Sequence, residues 1–385
     1  MDAFLALVRA GLWEKSPVHG ERLKVKGCPD GASLLTLDNA QTSSELCSLN
    51  RSLQDSEHVD WEKLYQLAGE QSVVGLVTAG IERFKAHDSG FTVPQEIVFR
   101  CIGESLRLEQ TNKAMNEFIA EIVGRMREKD IYTLLVKGQG IAQCYERPLW
   151  RSSGDVDLLL SDSNYKKAME FLLPLCSGHK DEERYSQHLG LNINQWYVEI
   201  HGSLRTGLSG RVDKEVDANQ RDVFYNGKVR SWDCNGTTVF LPSPDNDVFF
   251  VFTHFIKHFY KEGMNLRQVC DWCRLLWTYK DSLNHGILEE RIRRAGLMNE
   301  WKAFAALAVE HLWMPVEAMP MYDSLFTVEG ERILKHILKR EPYSKVRDTW
   351  AIAKIFPWNT LKFLPAIFFH LNWMKVRERI LGLKS

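Results

Sequence analysis

The sequence has 385 residues, of which 44% are hydrophobic and 26% are charged, and its formal net charge is -1. This composition is typical of globular proteins, and the near-zero charge argues against a broad nucleic-acid-binding surface, which needs a basic patch. The eight cysteines are scattered through a long chain, which is unlike the disulfide framework of a short secreted protein. No signal peptide opens the chain and no apolar stretch is long enough to cross a membrane. We therefore expect a reduced, cytoplasmic and soluble protein.

Helical patterns dominate the first 130 residues. Apolar residues recur at helical spacing in residues 2–13, whereas residues 15–58 are polar and are predicted to be loop with one helix near Ser43–Leu53. Asp60 is predicted to cap the next helix, which begins at Trp61. A helix over Val73–Lys85 and a long helix from Pro94 to about residue 128 complete an N-terminal helical region, residues 1–130.

The period of the apolar residues changes at residue 131. Residues 131–245 are predicted to form a mixed α/β core with a helix near Ser163–Leu175 and strands at Ile131–Val136, Val156–Leu160, Leu191–Ile193, Trp196–His201 and Val239–Leu241. From Ser243 the pattern is again helical, with proline at the first helical position, and a further helix is predicted at Leu266–Tyr279. Residues 246–385 are thus a C-terminal helical region, whose aromatic stretch Pro357–Val376 is expected to pack on the core or a partner. The predicted fold class is α+β, a small mixed sheet flanked by two helical regions.

One stretch of the core, Leu134–Leu160, carries the residues best suited to chemistry. A strand leads into the turn Lys137-Gly138-Gln139-Gly140, and a second strand carries Asp155 and Asp157. Residues i and i+2 of a strand share a face, so the two carboxylates project together while Val156 enters the core. Carboxylate oxygens suit a divalent metal ion, and the N–H groups of a glycine turn suit phosphate. The alternative is a pair of solvated acids at a strand start.

These residues form a recognisable pattern: K-G, then R-x-x-G-D-x-D-L-L-L, then V-E-I-H about forty residues later. The pattern resembles the nucleotidyltransferase superfamily typified by DNA polymerase beta. It is most similar to a bacterial branch of uncharacterised nucleotidyltransferase-family proteins. The resemblance is carried by residues 132–204 and is weaker elsewhere.

The resemblance implies a third acid on a neighbouring strand, and Glu199 is the best match for it. Asp155, Asp157 and Glu199 would then hold two Mg²⁺ ions, which clamp the attacking and leaving oxygens in phosphoryl transfer. Glu199 is otherwise an ordinary exposed strand residue. His201 shares its face and is expected to orient Glu199, to contact substrate or to have a structural role.

The resemblance also implies that the backbone at Gly138 approaches phosphate, and Lys137, which precedes it, is a further candidate phosphate-binding residue. The superfamily commonly has serine after this glycine, with its hydroxyl reaching a phosphate, whereas this chain has Gln139. Lys137 either supplies charge instead or points away. Arg151 is suited to bidentate phosphate contact, or else to a salt bridge with a nearby acid such as Asp155.

The helices after Ser243 are expected to line a cleft. His254 and His258 lie at i and i+4 and so share a helix face. They would need a further ligand, such as Asp271, to bind zinc, and no H-E-x-x-H motif is present. We favour a polar face on which His254, Lys257, His258 and Arg267 contact nucleotide or acceptor. The alternative is that these side chains only form hydrogen bonds between domains.

The sequence therefore favours an Mg²⁺-dependent enzyme that transfers a nucleoside monophosphate from a nucleoside triphosphate, such as ATP, to a hydroxyl of a small molecule or protein. The balanced charge disfavours a polymerase, so nucleic acid is not an expected partner. A second hypothesis, which the Gln139 departure favours, is a catalytically weak nucleotide-binding or partner-binding module. A third is antitoxin-like modification of a partner protein by the same chemistry.

Overall fold

The computed structural model describes residues 2–13, 59–87, 91–183, 187–339 and 344–369. The helix predicted near Ser43–Leu53 lies outside these residues, as do Cys28, Cys47 and the end of the aromatic stretch from residue 370 onward. Within the described residues no helix is both long and apolar enough to cross a membrane.

The described chain is mixed α+β, as the sequence predicted, with fourteen α-helices and one seven-stranded sheet. The helices are α1 (Asp2–Leu12), α2 (Trp61–Glu70), α3 (Val74–His87), α4 (Gln95–Arg127), α5 (Gly138–Ala142), α6 (Asp162–Leu172), α7 (Gly210–Tyr225), α8 (Pro244–Lys261), α9 (Leu266–Tyr279), α10 (His285–Ala295), α11 (Met298–Leu312), α12 (Thr327–Ile337), α13 (Lys345–Ala353) and α14 (Pro357–Leu364). The strands are β1 (Thr133–Val136), β2 (Asp155–Leu160), β3 (Gly178–His179), β4 (His188–Ile193), β5 (Trp196–His201), β6 (Val229–Cys234) and β7 (Thr237–Pro242).

The sheet has the strand order β3-β4-β5-β2-β1-β7-β6. Strand β2 runs parallel to β5 and β1 runs parallel to β7, whereas the other neighbours are antiparallel. Strand β2, at the centre, is buried on both faces, which explains its almost continuous apolar run. Val156 packs on the face covered by α4 and α6, and Leu159 packs on the opposite face with α7 and α8. Asp155 and Asp157 alternate with Val156, so they lie on the same face as Leu159.

The N-terminal and C-terminal helices share one hydrophobic core. It contains residues of α1 to α3 together with residues of α8 to α14, including the fully buried Trp272 and Trp301. The indole N–H of Trp13 donates a hydrogen bond of 2.6 Å to the carbonyl of Leu312, which ties the end of α1 to the end of α11. A Cβ on Gly11 would lie 2.0 Å from the carbonyl oxygen of Leu76, so only glycine allows α1 to cross α3 this closely.

Several predicted elements are confirmed. Asp60 caps α2 by accepting a hydrogen bond from the backbone N–H of Lys63, and β5 and α9 begin and end near the predicted residues. Three elements were not predicted: β3, β6 and α7. Strand β6 is an edge strand with alternating exposure, and α7 is largely polar, so neither has an apolar run that stands out in the sequence.

Candidate active site

Three carboxylates converge where β2 and β5 lie side by side. Asp157 pairs in register with Glu199 on the parallel neighbour strand, and Asp155 lies two residues before Asp157 on the same face. One oxygen from each of the three side chains lies within 4.8 Å of the others. Asp157 is only 2% exposed. The structure thus brings together the three acids that the sequence singled out, in an oxygen donor set of the kind that Mg²⁺ prefers.

The ammonium group of Lys137 lies among these acids. Its Nζ is 2.7 Å from Oδ1 of Asp157. Burial lowers the pKa of Lys137, but the charges of Asp157, Asp155 and Glu199 outweigh this and raise the pKa above its ordinary value. Lys137 therefore remains charged. It reaches the acids because its backbone has φ of +61° and ψ of -147°, a conformation that non-glycine residues rarely adopt.

The three acids differ in how easily they take up a proton. Repulsion from Asp157, together with burial, raises the pKa of Asp155. Burial also raises the pKa of Asp157, but Lys137 and His201 outweigh it, and the pKa of Asp157 is below its ordinary value. Burial opposes ionisation of Glu199 too, yet contacts with His188 and His201 hold its pKa far below the usual range. Asp155 is therefore the acid of this cluster that a proton reaches first.

Two histidines stand beside Glu199. His201 lies on β5, with its Nε2 2.9 Å from Oδ1 of Asp157 and 3.5 Å from Oε2 of Glu199. His188 is its cross-strand partner on β4, and the two rings stack with centroids 4.7 Å apart. Burial lowers the pKa of His188, but Glu183 and Glu199 outweigh this and raise it to about 9. His188 was not predicted as a site residue, because the predicted strand begins at Leu191, three residues after the first residue of β4.

The glycine turn and Gln139 are joined to α4. Gly138 has φ of +42° and begins the short helix α5. The Gln139 side chain is buried and donates hydrogen bonds to Oδ1 of Asn112 at 2.6 Å and to Oγ of Ser153 at 3.2 Å. Gln139 therefore points into the protein and fixes the turn, and its amide does not occupy the position expected of a phosphate-binding hydroxyl.

Arg151 forms a buried ion pair with an acid from the C-terminal helices. Its Nε and Nη2 each lie 2.7 Å from a carboxylate oxygen of Asp271 on α9, and its Nη1 donates to Oγ of Ser153 at 2.9 Å. Asp271 also accepts a hydrogen bond of 2.8 Å from Tyr145 and lies 3.5 Å from Arg267. The salt bridge anticipated for Arg151 is thus made with Asp271 instead of Asp155. The guanidinium still lines the cavity described next.

Two cavities meet at the carboxylates. The larger has a volume of about 650 Å³ and extends past Gly138, Arg151 and Arg267 toward the C-terminal helices. The smaller, of about 320 Å³, lies beside Glu199 and His201. Four residues line both cavities: Lys137, Asp155, His254 and His258. The acids therefore stand between two spaces, each large enough to admit part of a substrate.

The predicted cleft residues of α8 and α9 all line one or both cavities. His254 and His258 contact each other through their Nε2 atoms at 3.0 Å, and Nδ1 of His258 lies 2.8 Å from Oε2 of Glu262. Burial, aided by the charge of Lys137, lowers the pKa of His254 well below its ordinary value, so this imidazole is neutral. Lys257 faces the smaller cavity and Arg267 the larger. Neither of the two metal-capable clusters in the described chain includes His254 or His258.

Residues 57–314, well over half of the chain, match the model of a family described as uncharacterised nucleotidyltransferase. The chain belongs to this family. One solved structure, an antigenic nucleotidyltransferase-like protein from Paracoccidioides brasiliensis, is similar over 52% of this chain and 93% of that chain, with 12% sequence identity and a TM-score of 0.32. That distant likeness supports no argument about activity. No curated protein matches the chain.

The family match includes every residue of the carboxylate cluster and of the α8 and α9 faces that line the two cavities. It ends at residue 314. The larger cavity is completed by later residues: His336 of α12, Lys339 just after α12 and Asp348 of α13. The nucleotidyltransferase match thus stops short of one wall of the candidate site.

Proposed function

We propose that the protein transfers a nucleoside monophosphate from a nucleoside triphosphate to a hydroxyl group and that Mg²⁺ is the metal ion it uses. The observation that carries the proposal is the position of Asp155, Asp157 and Glu199, whose oxygens converge at the junction of two cavities. Two ions would be held by Asp155 and Asp157, with Glu199 completing the coordination of one. Bound ions would lower the pKa of the acceptor hydroxyl and neutralise charge on the phosphates.

The larger cavity is the proposed site of the triphosphate. It is lined by the glycine turn at Gly138 and by the guanidinium groups of Arg151 and Arg267. Arg267 lines this cavity, and its buried Nε has no hydrogen-bond partner among the described residues. Guanidinium groups and the backbone N–H groups of a glycine turn are the usual protein donors to phosphate oxygens.

Lys137 would change partners during the reaction. Its ammonium group contacts Asp157, one of the two carboxylates proposed to hold both metal ions. Cations bound by the acids would compete with Lys137 for Asp157, and the freed ammonium group would be available to phosphate oxygens in the adjoining cavity, which Lys137 lines. The lysine would thus hold the acids together before substrate binds and hold the triphosphate afterwards.

The smaller cavity is the proposed site of the acceptor. It lies on the Glu199 side of the cluster, and its volume of about 320 Å³ suits a small molecule or one protein side chain that carries a hydroxyl. The formal net charge of -1 gives no support to a polymerase that follows a nucleic-acid backbone.

A second candidate function is a nucleotide-binding or partner-binding module with weak catalysis. The burial of Gln139 favours it, because this residue does not present a hydroxyl or an amide to the phosphates. A nucleotide-binding module would bind a triphosphate as the transferase does, but it would release little pyrophosphate when an acceptor is supplied. A partner-binding module would not need to bind a triphosphate.

The proposal is tested first by thermal unfolding with each of the four ribonucleoside triphosphates, with and without Mg²⁺. A ligand that binds only the native state stabilises that state by roughly 2.7 kcal/mol when its concentration is about 100 times its Kd. We expect an Mg²⁺-dependent rise in Tm with at least one nucleotide, and its loss in Asp155→Asn and Asp157→Asn. Asp281→Asn, an exposed acid far along the chain, is the matched control and should behave like wild type.

Two outcomes contradict the proposal. One is that no nucleotide raises Tm in wild type. The other is that both aspartate variants retain the full Mg²⁺-dependent rise. Where nucleotide binds, pyrophosphate release in an acceptor screen separates the transferase from the binding module.

A further inference from the structure

A second group of ligand atoms lies next to the three acids. His188, Glu199 and His201 offer two imidazole nitrogens and a carboxylate oxygen, and these atoms all lie within 4.8 Å of one another. They come from two adjacent strands, with His188 and His201 directly opposite each other and Glu199 two residues before His201. The backbone of the sheet therefore fixes all three on one face.

The distances in this group resemble those between ligands of one ion. Oε2 of Glu199 lies 3.2 Å from Nε2 of His188 and 3.5 Å from Nε2 of His201. Ligand atoms placed about 2 Å from a shared tetrahedral ion are roughly 3.3 Å apart. The same oxygen of Glu199 thus approaches both imidazoles at the spacing that a small ion requires.

One atom of the group, the buried Nε2 of His188, faces Glu199 without forming a hydrogen bond of good geometry. Without a metal ion the two groups form an ion pair at 3.2 Å, and a bound ion would take the place of the imidazole proton. Buried polar atoms are nearly always hydrogen-bonded, and an exception calls for a reason such as an ion. Two ligand atoms of one cation lie close together in this way, without a hydrogen bond between them.

We propose that His188, Glu199 and His201 form a binding site for a divalent transition-metal ion of the zinc class. Two imidazoles and one carboxylate favour such an ion over Mg²⁺, because imidazole is a preferred ligand of zinc and its neighbours whereas Mg²⁺ prefers oxygen. Three protein ligands leave a coordination position open, as in catalytic zinc sites. All three residues line the smaller cavity, so the open position is accessible to an acceptor molecule there.

The site shares Glu199 with the proposed magnesium set but does not depend on nucleotide. Its test therefore uses the metal alone. Cobalt(II) replaces zinc and shows visible d–d absorption when it is bound by imidazole and carboxylate in a low-coordinate site. We expect one equivalent of Co²⁺ to give these bands in the full chain and Zn²⁺ to displace it.

Variants of the two histidines decide which residues hold the ion. His188→Gln and His201→Gln should each abolish the bands and lower the affinity for Co²⁺ at least about tenfold. Mutation of a residue that only orients a metal ligand already lowers metal affinity by about this factor. His179→Gln, an exposed histidine on the neighbouring strand β3, is the matched control and should keep both. Asp155→Asn should keep the bands, because Asp155 belongs only to the three carboxylates proposed to bind Mg²⁺. Far-ultraviolet circular dichroism verifies that each variant is folded.

The proposal is overturned if the wild-type protein gives no bands with Co²⁺. It is also overturned if both histidine variants keep the bands while Asp155→Asn and Asp157→Asn lose them, since the carboxylates alone would then hold the ion. A failure of nucleotide to raise Tm, with the bands intact, contradicts the transferase proposal and leaves this one standing.

Discussion

Asp157 is the most constrained residue of the candidate site. It is buried, it contacts the ammonium group of Lys137 at 2.7 Å and it lies 2.9 Å from Nε2 of His201. Asp155, two residues away, faces the repulsion of Asp157 without an equally close cation. The two carboxylates of the D-x-D pattern therefore have opposite effects on stability even though they serve the same proposed metal ions.

We predict that the two asparagine variants differ in stability when divalent ions are chelated. Asp157→Asn removes the closest partner of a buried ammonium group and should lower the free energy of unfolding by about 3 kcal/mol. Asp155→Asn removes a repulsion and should leave the free energy unchanged or raise it. Urea unfolding in the presence of a chelator at about pH 7 measures both.

The effect of pH on Asp155 has a definite sign. Its pKa is raised in the folded protein, so the native state binds this proton more readily than the unfolded state does. The destabilising effect of Asp155 is present above its folded pKa and disappears as the pH falls through that value. The free energy of unfolding of the wild-type protein should therefore approach that of Asp155→Asn as the pH falls. A difference between the two that grows as the pH falls would contradict this assignment.

The sequence predicted the acids but not their partners. Strand periodicity places Asp155 and Asp157 on one face, and the pattern V-E-I-H places Glu199 nearby. The direction of Lys137 depends on a backbone conformation with positive φ, which the sequence does not reveal for a lysine. The partner of Arg151 is Asp271, 120 residues away, and such a pairing depends on how α9 packs.

At the scale of elements, α9 is fixed to the core through Asp271. This one carboxylate accepts two hydrogen bonds from Arg151 and one from Tyr145, all from the segment between α5 and β2. Periodicity predicted the residues of α9 correctly, because its apolar and polar faces are well separated. The polar helix α7 and the edge strand β6 lack such a contrast, so periodicity does not reveal them.

We predict that Asp271→Asn lowers the free energy of unfolding by about 3 kcal/mol, because it leaves the buried guanidinium of Arg151 without its counter-charge. Glu62→Gln is the matched control. It breaks the ion pair between Glu62, which is 66% exposed, and Arg100, which is 37% exposed. This change should lower the free energy of unfolding by less than about 1 kcal/mol. Chemical denaturation of both variants measures the difference. Equal losses would show that the buried pair does not stabilise the attachment of α9.

At the scale of the whole molecule, the larger cavity is built by distant parts of the chain. Gln71 follows α2, and Arg151 and Asp155 belong to the central region. His336 lies in the last turn of α12, and Lys339 follows that helix. The sequence predicted three regions in chain order, 1–130, 131–245 and 246–385, and these boundaries stay a prediction. It did not predict that the first and last regions share one core, because that requires knowing which apolar faces meet.

This arrangement predicts a role for Lys339 in nucleotide binding. Its ammonium group lies at the wall of the larger cavity opposite the glycine turn, 3.7 Å from Asp348. If the triphosphate occupies this cavity, Lys339→Ala should weaken nucleotide binding about fivefold, which corresponds to roughly 1 kcal/mol. Isothermal titration with nucleotide and Mg²⁺ measures the change. Lys335→Ala, four residues earlier on α12, is the control and should bind like wild type, because its side chain is 71% exposed and paired with Glu331. Unchanged affinity in both variants would mean that the nucleotide stays near the sheet. The cavity wall from the last helices would then serve the stability of the fold and not the recognition of the donor.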